Sequence, residues 1–240
     1  MPRPLLVVGD VQGDAERLEE ALADYPEDDV DTVFLGDFFQ GGRPGQAGGA
    51  RSARIARGRA NSVSIVGNHD LFLLAVLEEA RDGYTPQAIR DRGDATLADV
   101  WLLRRGDRAD LEQVASDPDL EAWLRSLPLV LLLDDGTLVQ HADDDGYARL
   151  GPDVDTVNAW ARSRLAEPRG AWEVWRHTIG RRAFDDVERL EAHLRHFGAR
   201  RIVHGHTPHH GDRPRAQHEG RVWNFDGCFS RFWDPHGDGV

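Results

Sequence analysis

The chain contains no lysine; all 29 of its basic residues are arginine. That excludes a Walker-type phosphate loop, a Schiff-base centre and a Ser-x-x-Lys nucleophile, each of which needs a lysine amine at a fixed place. Cysteine is almost as scarce. Cys228 stands alone, so neither an intrachain disulfide nor a cysteine-rich zinc site can form. No arginine follows it at the spacing of a cysteine phosphatase, which leaves it to be a small buried hydrophobe. Long apolar runs are missing too. Met1-Pro2-Arg3-Pro4 leads into a first strand too short for a signal segment or a membrane span, so a cytoplasmic protein with no membrane partner is expected. Positive charge is in deficit: the net charge is -13 and the pI about 5.2, a balance that repels a phosphate backbone and argues against nucleic acid as a partner.

What the chain does have is a 40% hydrophobic content over 240 residues, enough for one domain spanning 1–240. It also has five polar motifs: Gly9-Asp10-Val11-Gln12-Gly13, Gly36-Asp37, Gly67-Asn68-His69-Asp70, His141-Ala142 and Gly205-His206-Thr207. Most begin where an apolar, β-branched run gives out: Leu5 to Val8, Val33 to Leu35, Val63 to Val66, Ile202 to Val203. This places the polar groups at the carboxyl ends of strands, where open α/β sheets collect their ligands.

Between the motifs, Leu18, Ala21 and Leu22 recur at helical spacing after Asp14, a plausible N-cap, and Thr32 to Leu35 closes a βαβ unit. Residues 41–59 alternate glycine with arginine and read as a mobile basic loop. From 71 to 127 the apolar spacing is helical, which predicts a helical insertion. Leu129 to Leu133 and Thr137 to Gln140 flank Asp135-Gly136, a hairpin signature. Helices are expected over 153–165 and 185–197, strands over 200–204 and 221–225, and a flexible tail over 234–240. Trp101, Trp123, Trp160, Trp172 and Trp175 lie in helical patterns and read as core rather than as a substrate platform. His204 alternates with His206 and should face away from it, while His193, His196, His209, His210 and His218 read as solvated.

These residue types suit a phosphoester hydrolase. A phosphoester resists attack because its oxygens are already negative, so a catalyst must neutralise charge and generate hydroxide near pH 7. Two divalent ions about 3.5–4 Å apart do both, and need one bridging carboxylate with further oxygen and nitrogen ligands. Asp37 is the natural bridge. Asp10 would hold the first ion; Asn68, His141 and His206 would hold the second through an amide oxygen and two neutral imidazoles. His69 is left to protonate the leaving oxygen.

The motif set resembles the phosphoprotein phosphatase clan of calcineurin-like metallophosphoesterases, whose pattern is Gly-Asp-x-His-Gly, Gly-Asp-x-x-Asp-Arg-Gly, Gly-Asn-His-Glu/Asp, His-Ala/Gly-Gly and Gly-His-Thr. The resemblance implies an α/β sandwich of two central mixed β-sheets flanked by helices. It also implies hydrolysis of phosphoesters with two divalent ions, Mn²⁺ first, with Mg²⁺, Fe, Zn²⁺, Co²⁺ or Ni²⁺ as alternatives. Asp10-Val11-Gln12-Gly13-Asp14, the run from Phe197 to Pro208, Val174-Trp175-Arg176, Val222-Trp223, Asp226 and Ser230-Arg231 resemble the bacterial Shewanella-like protein phosphatases. Gly67-Asn68-His69-Asp70-Leu71, Leu73-Leu74-Ala75-Val76 and Leu124-Arg125 resemble the symmetrical diadenosine tetraphosphate hydrolases. The first resemblance implies a phosphorylated protein as substrate; the second, a small dinucleoside phosphoester.

Three departures from the clan pattern bear on the chemistry. Gln12 stands where the clan has a histidine, and Pro208 where the wider superfamily has another, so the first metal site should be all oxygen (Asp10, Asp37, the Gln12 carbonyl) and weaker than the second. Gln40 and Gly41 stand where the clan has Asp-Arg. The missing arginine implies another for the phosphate, with Arg176 and Arg43 as candidates. The missing aspartate leaves His69 without its usual carboxylate, and the substitutions together raise a weakened, phosphate-binding relative as an alternative.

Overall fold

A computed structural model describes residues 3–231 apart from 92, 94, 212 and 229; the tail expected over 234–240 lies outside the described residues. Strand β1 (Leu5–Val8) leads into α1 (Ala15–Ala23), whose N-cap Asp14 accepts the Arg17 N–H at 3.1 Å. Strands β2 (Asp31–Phe34) and β3 (Ser62–Ser64) follow, and β1, β2 and β3 form a wholly parallel sheet in that order. The second sheet is mixed. It takes β4 (Val130–Leu132), β5 (Thr137–Gln140), β6 (Arg201–His204), β8 (Val222–Asn224) and β7 (Arg215–Gln217) in that order. β4 and β5 are the expected antiparallel hairpin, with Gly136 at φ +81° in its turn. β5, β6 and β8 are parallel to one another.

The alternation along each strand sorts residues into two cores. Val33 and Leu35 join Ile65, Val139 and Val203 in a cluster drawn from both sheets, which places it between them. Phe34, between Val33 and Leu35, faces the opposite way into the larger cluster packed by the helices. The fold is therefore two facing sheets with helices on their outer sides.

Residues 41–59 depart from the expected loop: Gly48–Gly58 is a helix, α2. Ala50, Ala53 and Ala56 recur on one buried face, while Gly48 and Gly49 approach so closely that a Cβ on Gly48 would stand 2.1 Å from the Gly13 carbonyl oxygen. The glycines are there for close packing, which composition alone disguised as flexibility. Residues 68–126 hold α3 (Asn68–Asp82), α4 (Gln87–Arg90), α5 (Leu97–Leu103), α6 (Arg108–Ala115) and α7 (Pro118–Ser126), and Trp101 is fully buried among them. Farther on come α8 (Val154–Leu165), α9 (Gly170–Trp175) and α10 (Val187–Phe197). His193 of α10 is buried, contrary to its solvated reading, because its Nε2 pairs with Gln140 Oε1 at 2.7 Å. Cys228 is only half-buried, at φ +60° in a polar loop, so it is not the core hydrophobe expected. Among the described residues no helix is long and apolar enough to cross a membrane.

Candidate metal centre

Parallel pairing puts the carboxyl ends of β1, β2 and β3 on one edge of their sheet, and those of β5, β6 and β8 on one edge of the other. Each ends just short of a polar residue: Asp10, Asp37, Asn68, His141, His206 and Asp226. Asp37, His141 and His206, all buried, bring potential ligand atoms within 4.8 Å of one another. His141 Nε2 lies 3.3 Å from Asp37 Oδ1 and 2.9 Å from Asn68 Oδ1. Its Nδ1 donates to the Leu35 carbonyl at 2.8 Å, which leaves Nε2 as the nitrogen turned to two acceptors. Asp10 accepts the His206 N–H on both oxygens at 3.0 Å, tying the first strand's carboxylate to the turn after β6.

The backbone here is bent into place. Gln12, Asp37, Gln40 and His206 all sit at positive φ, between +48° and +67°, a region non-glycine residues rarely adopt. Asp70, three residues beyond Gly67, accepts the Gly67 N–H at 2.8 Å and helps start α3. The Asp37 carboxylate in turn accepts the His69 N–H at 2.8 Å.

Electrostatics single out the same residues. Burial pushes Asp10 well above the usual carboxylate range, and the charges of Asp226 and Asp37 push it further. Burial alone would also raise Asp37, but His141, His69 and His206 outweigh it and hold Asp37 low. Burial disfavours a charged His141, yet Asp37 and Asp10 lift it to about 10. His206 goes the other way: burial, then His141 and Arg181, hold it well below its ordinary value. Such opposed shifts among adjacent buried groups mark a functional site.

The residues fit a divalent-metal centre. The buried His206 Nε2, Gln12 Oε1 and Asp226 Oδ2 have no hydrogen-bond partner among the described residues, and each is a metal donor atom. Carboxylates, an amide oxygen and imidazoles together form a mixed hard and borderline set.

A profile of the family described as calcineurin-like phosphoesterase matches residues 3–210. The chain belongs to that family. As a calcineurin-like phosphoesterase it is a hydrolase of phosphoesters of a dinuclear, metal-dependent type, and the Asp37, His141, His206 cluster is its candidate metal-binding group. No curated protein matches its sequence. Among solved structures it is similar to a cold-active protein-tyrosine phosphatase of a psychrophilic Shewanella species, at 18% identity, covering 95% of this chain and 72% of that one with a TM-score of 0.62. It also resembles a protein serine/threonine phosphatase from Saccharomyces cerevisiae (14% identity, 93% and 67% covered, TM-score 0.54). A putative diadenosine tetraphosphatase matches at 17% identity, with 95% and 86% covered and a TM-score of 0.50. These likenesses show the fold.

The structure sorts the phosphoesterase's remaining candidates. His69 stands at the site's edge, its Nδ1 3.5 Å from Asp37 Oδ2, with burial lowering its pKa. The Asp37 charge, and then the Phe39 carbonyl rather than Gln40, support the charged form of its ring. His204 lies elsewhere, with Nδ1 against the Gly205 carbonyl at 2.8 Å. Arg43 is exposed in the loop after Gly42. Arg176 lines a cavity of about 270 Å³ with Phe72, Arg104, Trp172 and Trp175. The arginine whose charge bears on His69, His206 and Asp226 is Arg181, and its Nη1 donates to the His206 carbonyl. Sequence reasoning passed over Arg181 because it belongs to no motif and lies in an irregular segment after α9. It passed over Asp70 as a structural acceptor although the residue stood inside Gly67-Asn68-His69-Asp70.

Proposed function

We propose that this calcineurin-like phosphoesterase is a two-metal phosphoprotein phosphatase. The observation that carries this reading is the convergence of Asp37, Asn68, His141 and His206 on one buried point, with His69 and Arg181 beside it. Asp10, Asp37 and Gln12 would hold a first ion, and Asp37, Asn68, His141 and His206 a second, with Mn²⁺ suited to both donor sets. Bound divalent cations supply positive charge against the phosphate and make water a better nucleophile near neutral pH. Asp37, held anionic by its three histidine neighbours, would serve both ions. His69, outside the ligand set and partly exposed, donates a proton to the leaving oxygen, and the Phe39 carbonyl steadies the protonated ring. Arg181 replaces Arg176 and Arg43 as the phosphate contact, since its guanidinium is already anchored at His206. The Shewanella-like motifs support a phosphorylated protein as substrate, in a cytoplasmic setting.

The test is hydrolysis of p-nitrophenyl phosphate with Mn²⁺ by the parent and by His69→Ala. Activity that falls at least about a hundredfold in the variant supports the reading. A parent inactive with every divalent metal would favour the weakened phosphate-binding relative.

A second reading, a dinucleoside tetraphosphate hydrolase, draws on one observation. Trp172 and Trp175 stack at 4.7 Å in the wall that also holds Arg104 and Arg176, a combination of aromatic faces and guanidinium groups that suits a nucleotide. Comparison of kcat/KM on a phosphotyrosine peptide, a phosphoserine peptide and diadenosine tetraphosphate separates the two.

A further inference from the structure

Asp226 is a carboxylate in an unexpected position. It is 1% exposed, one oxygen accepts the Cys228 N–H at 3.2 Å, and the other, Oδ2, has no hydrogen-bond partner among the described residues. An isolated buried carboxylate oxygen is costly unless it is paired or coordinates a metal.

Its place in the fold supplies the reason. Asp226 follows β8 by two residues, as Asp10 follows β1 and His206 follows β6, and β8 runs parallel to β6. Gly9 and Phe225, the neighbours of Asp10 and Asp226, are in such close backbone contact that a Cβ on Gly9 would stand 2.2 Å from the Phe225 carbonyl oxygen. The two chain ends thus press together behind the two carboxylates. Asp10 and Asp37 are each 1% exposed, and Gln12, 3% exposed, adds in Oε1 a second buried oxygen with no hydrogen-bond partner among the described residues. The cationic groups whose charge bears on Asp226 are Arg181 and His141, and both have other partners: the His206 carbonyl for Arg181, and Asn68 with Asp37 for His141.

We propose that Asp226 is a metal ligand, completing the first site as an all-oxygen set with Asp10, Asp37 and Gln12 Oε1. This rests on the two-metal reading above. It alters that reading in one respect: a site with three carboxylates is not the weak partner that Gln12 implied. Three anionic oxygens and an amide oxygen select a hard divalent cation such as Mn²⁺ or Mg²⁺, while the imidazoles of the second site select a softer one. A dication there would also offset the burial, and then the Asp37 charge, that disfavour an anionic Asp226.

The experiment is a Mn²⁺ titration of chelator-treated protein with no substrate present, free Mn²⁺ being followed by electron paramagnetic resonance. The wild type should bind two ions. Asp226→Asn, nearly isosteric, should lose one or bind it about tenfold or more weakly, and Asp226→Ser should behave alike, with circular dichroism confirming the fold of both. His206→Ala should weaken the other ion. On the unmutated protein, excess Mg²⁺ should displace one Mn²⁺ and leave the second. Two Mn²⁺ at unchanged affinity in both Asp226 variants, or displacement of neither or both ions by Mg²⁺, overturns the inference and leaves the two-metal reading standing. A wild type that binds no Mn²⁺ overturns that reading and the inference with it.

Discussion

Asp70 holds Asp37 by the backbone: its carboxylate accepts the Asp37 N–H at 2.9 Å and the Phe38 N–H at 2.8 Å, while also accepting the Gly67 N–H at 2.8 Å. One buried side chain thereby fixes the turn after β2 to the turn after β3, and keeps Asp37 at φ +52° with its oxygens facing the histidines. Burial, and then the Asp37 charge, push Asp70 up to about 7, so a positioning group is held here at an electrostatic cost.

Asp70→Asn replaces one acceptor oxygen with an N–H₂ group aimed at a backbone N–H. A buried donor left unmatched costs about 1–3 kcal/mol. Calorimetry should show a lower Tm, and Mn²⁺ affinity should fall with it because Asp37 loses its support. An unchanged Tm with unchanged metal affinity would show that the turn holds itself.

Gly67→Ala should be worse. A Cβ there would stand 2.1 Å from Asp37 Oδ1 and 2.3 Å from the Asp37 nitrogen, both part of the rigid turn. The variant is expected to lose Mn²⁺ binding and phosphatase activity while its far-UV circular dichroism stays near the parent's. Retained metal binding would mean that the turn can shift without cost.

Arg181→Ala and Arg176→Ala should separate two roles. With p-nitrophenyl phosphate, removing Arg181 should lower kcat and raise KM together, about tenfold or more in kcat/KM, an amount consistent with loss of a charge-assisted phosphate contact. Removing Arg176 should leave that small substrate nearly unaffected, because its guanidinium lines the tryptophan cavity. Equal losses in both variants on this substrate would contradict the assignment.

Stability should depend on pH through two buried groups outside the metal-ligand set. Asp110, 2% exposed, accepts the Ala50 N–H at 2.8 Å, and burial pushes it up to about 7. The folded protein holds that proton more tightly than the unfolded chain, so this contribution is full below about pH 4 and is lost as pH rises through 7. His193 runs opposite: burial lowers it to about 4, so its contribution is full above about 6.5 and is lost as pH falls through 4. Asp110→Asn should therefore flatten the loss of Tm between pH 5 and 8, and His193→Gln the loss between pH 6 and 4. Melts of the two variants that parallel the parent's would refute both assignments.

Chelation supplies a last check. If cations offset the charges of the buried Asp10, Asp37 and Asp226, dialysis against EDTA should lower Tm and abolish hydrolysis, and Mn²⁺ should restore both. A Tm indifferent to EDTA would place the metal outside this buried cluster.

Much of the site was readable before the fold was known, because each strand and the polar turn that follows it lie within about ten residues. Apolar, β-branched runs specify strands, and Gly-Asp or Gly-His breaks them where the chain must turn. This was enough to single out Asp10, Asp37, Asn68, His69, His141 and His206 as candidates from residues 5–207 alone, of which Asp37, His141 and His206 come together in the fold. The same logic applied to the strand before Asp226, but nothing local shows that its charge bears on Asp10; that coupling exists because Phe225, after β8, packs against Gly9, after β1.

Where local signals were ambiguous, packing decided. Glycines in 48–58 serve close approach to Gly13 in a helix rather than flexibility, and His193 is buried because Gln140 answers it from the neighbouring sheet. Arg181 reaches His206 from an irregular segment with no periodic signal. Sequence alone determined which residue types end the strands, since that follows from turn chemistry over a few positions. Tertiary structure alone decided which of them are buried together and feel one another's charge, since burial and electrostatic coupling depend on distances between residues far apart in the chain.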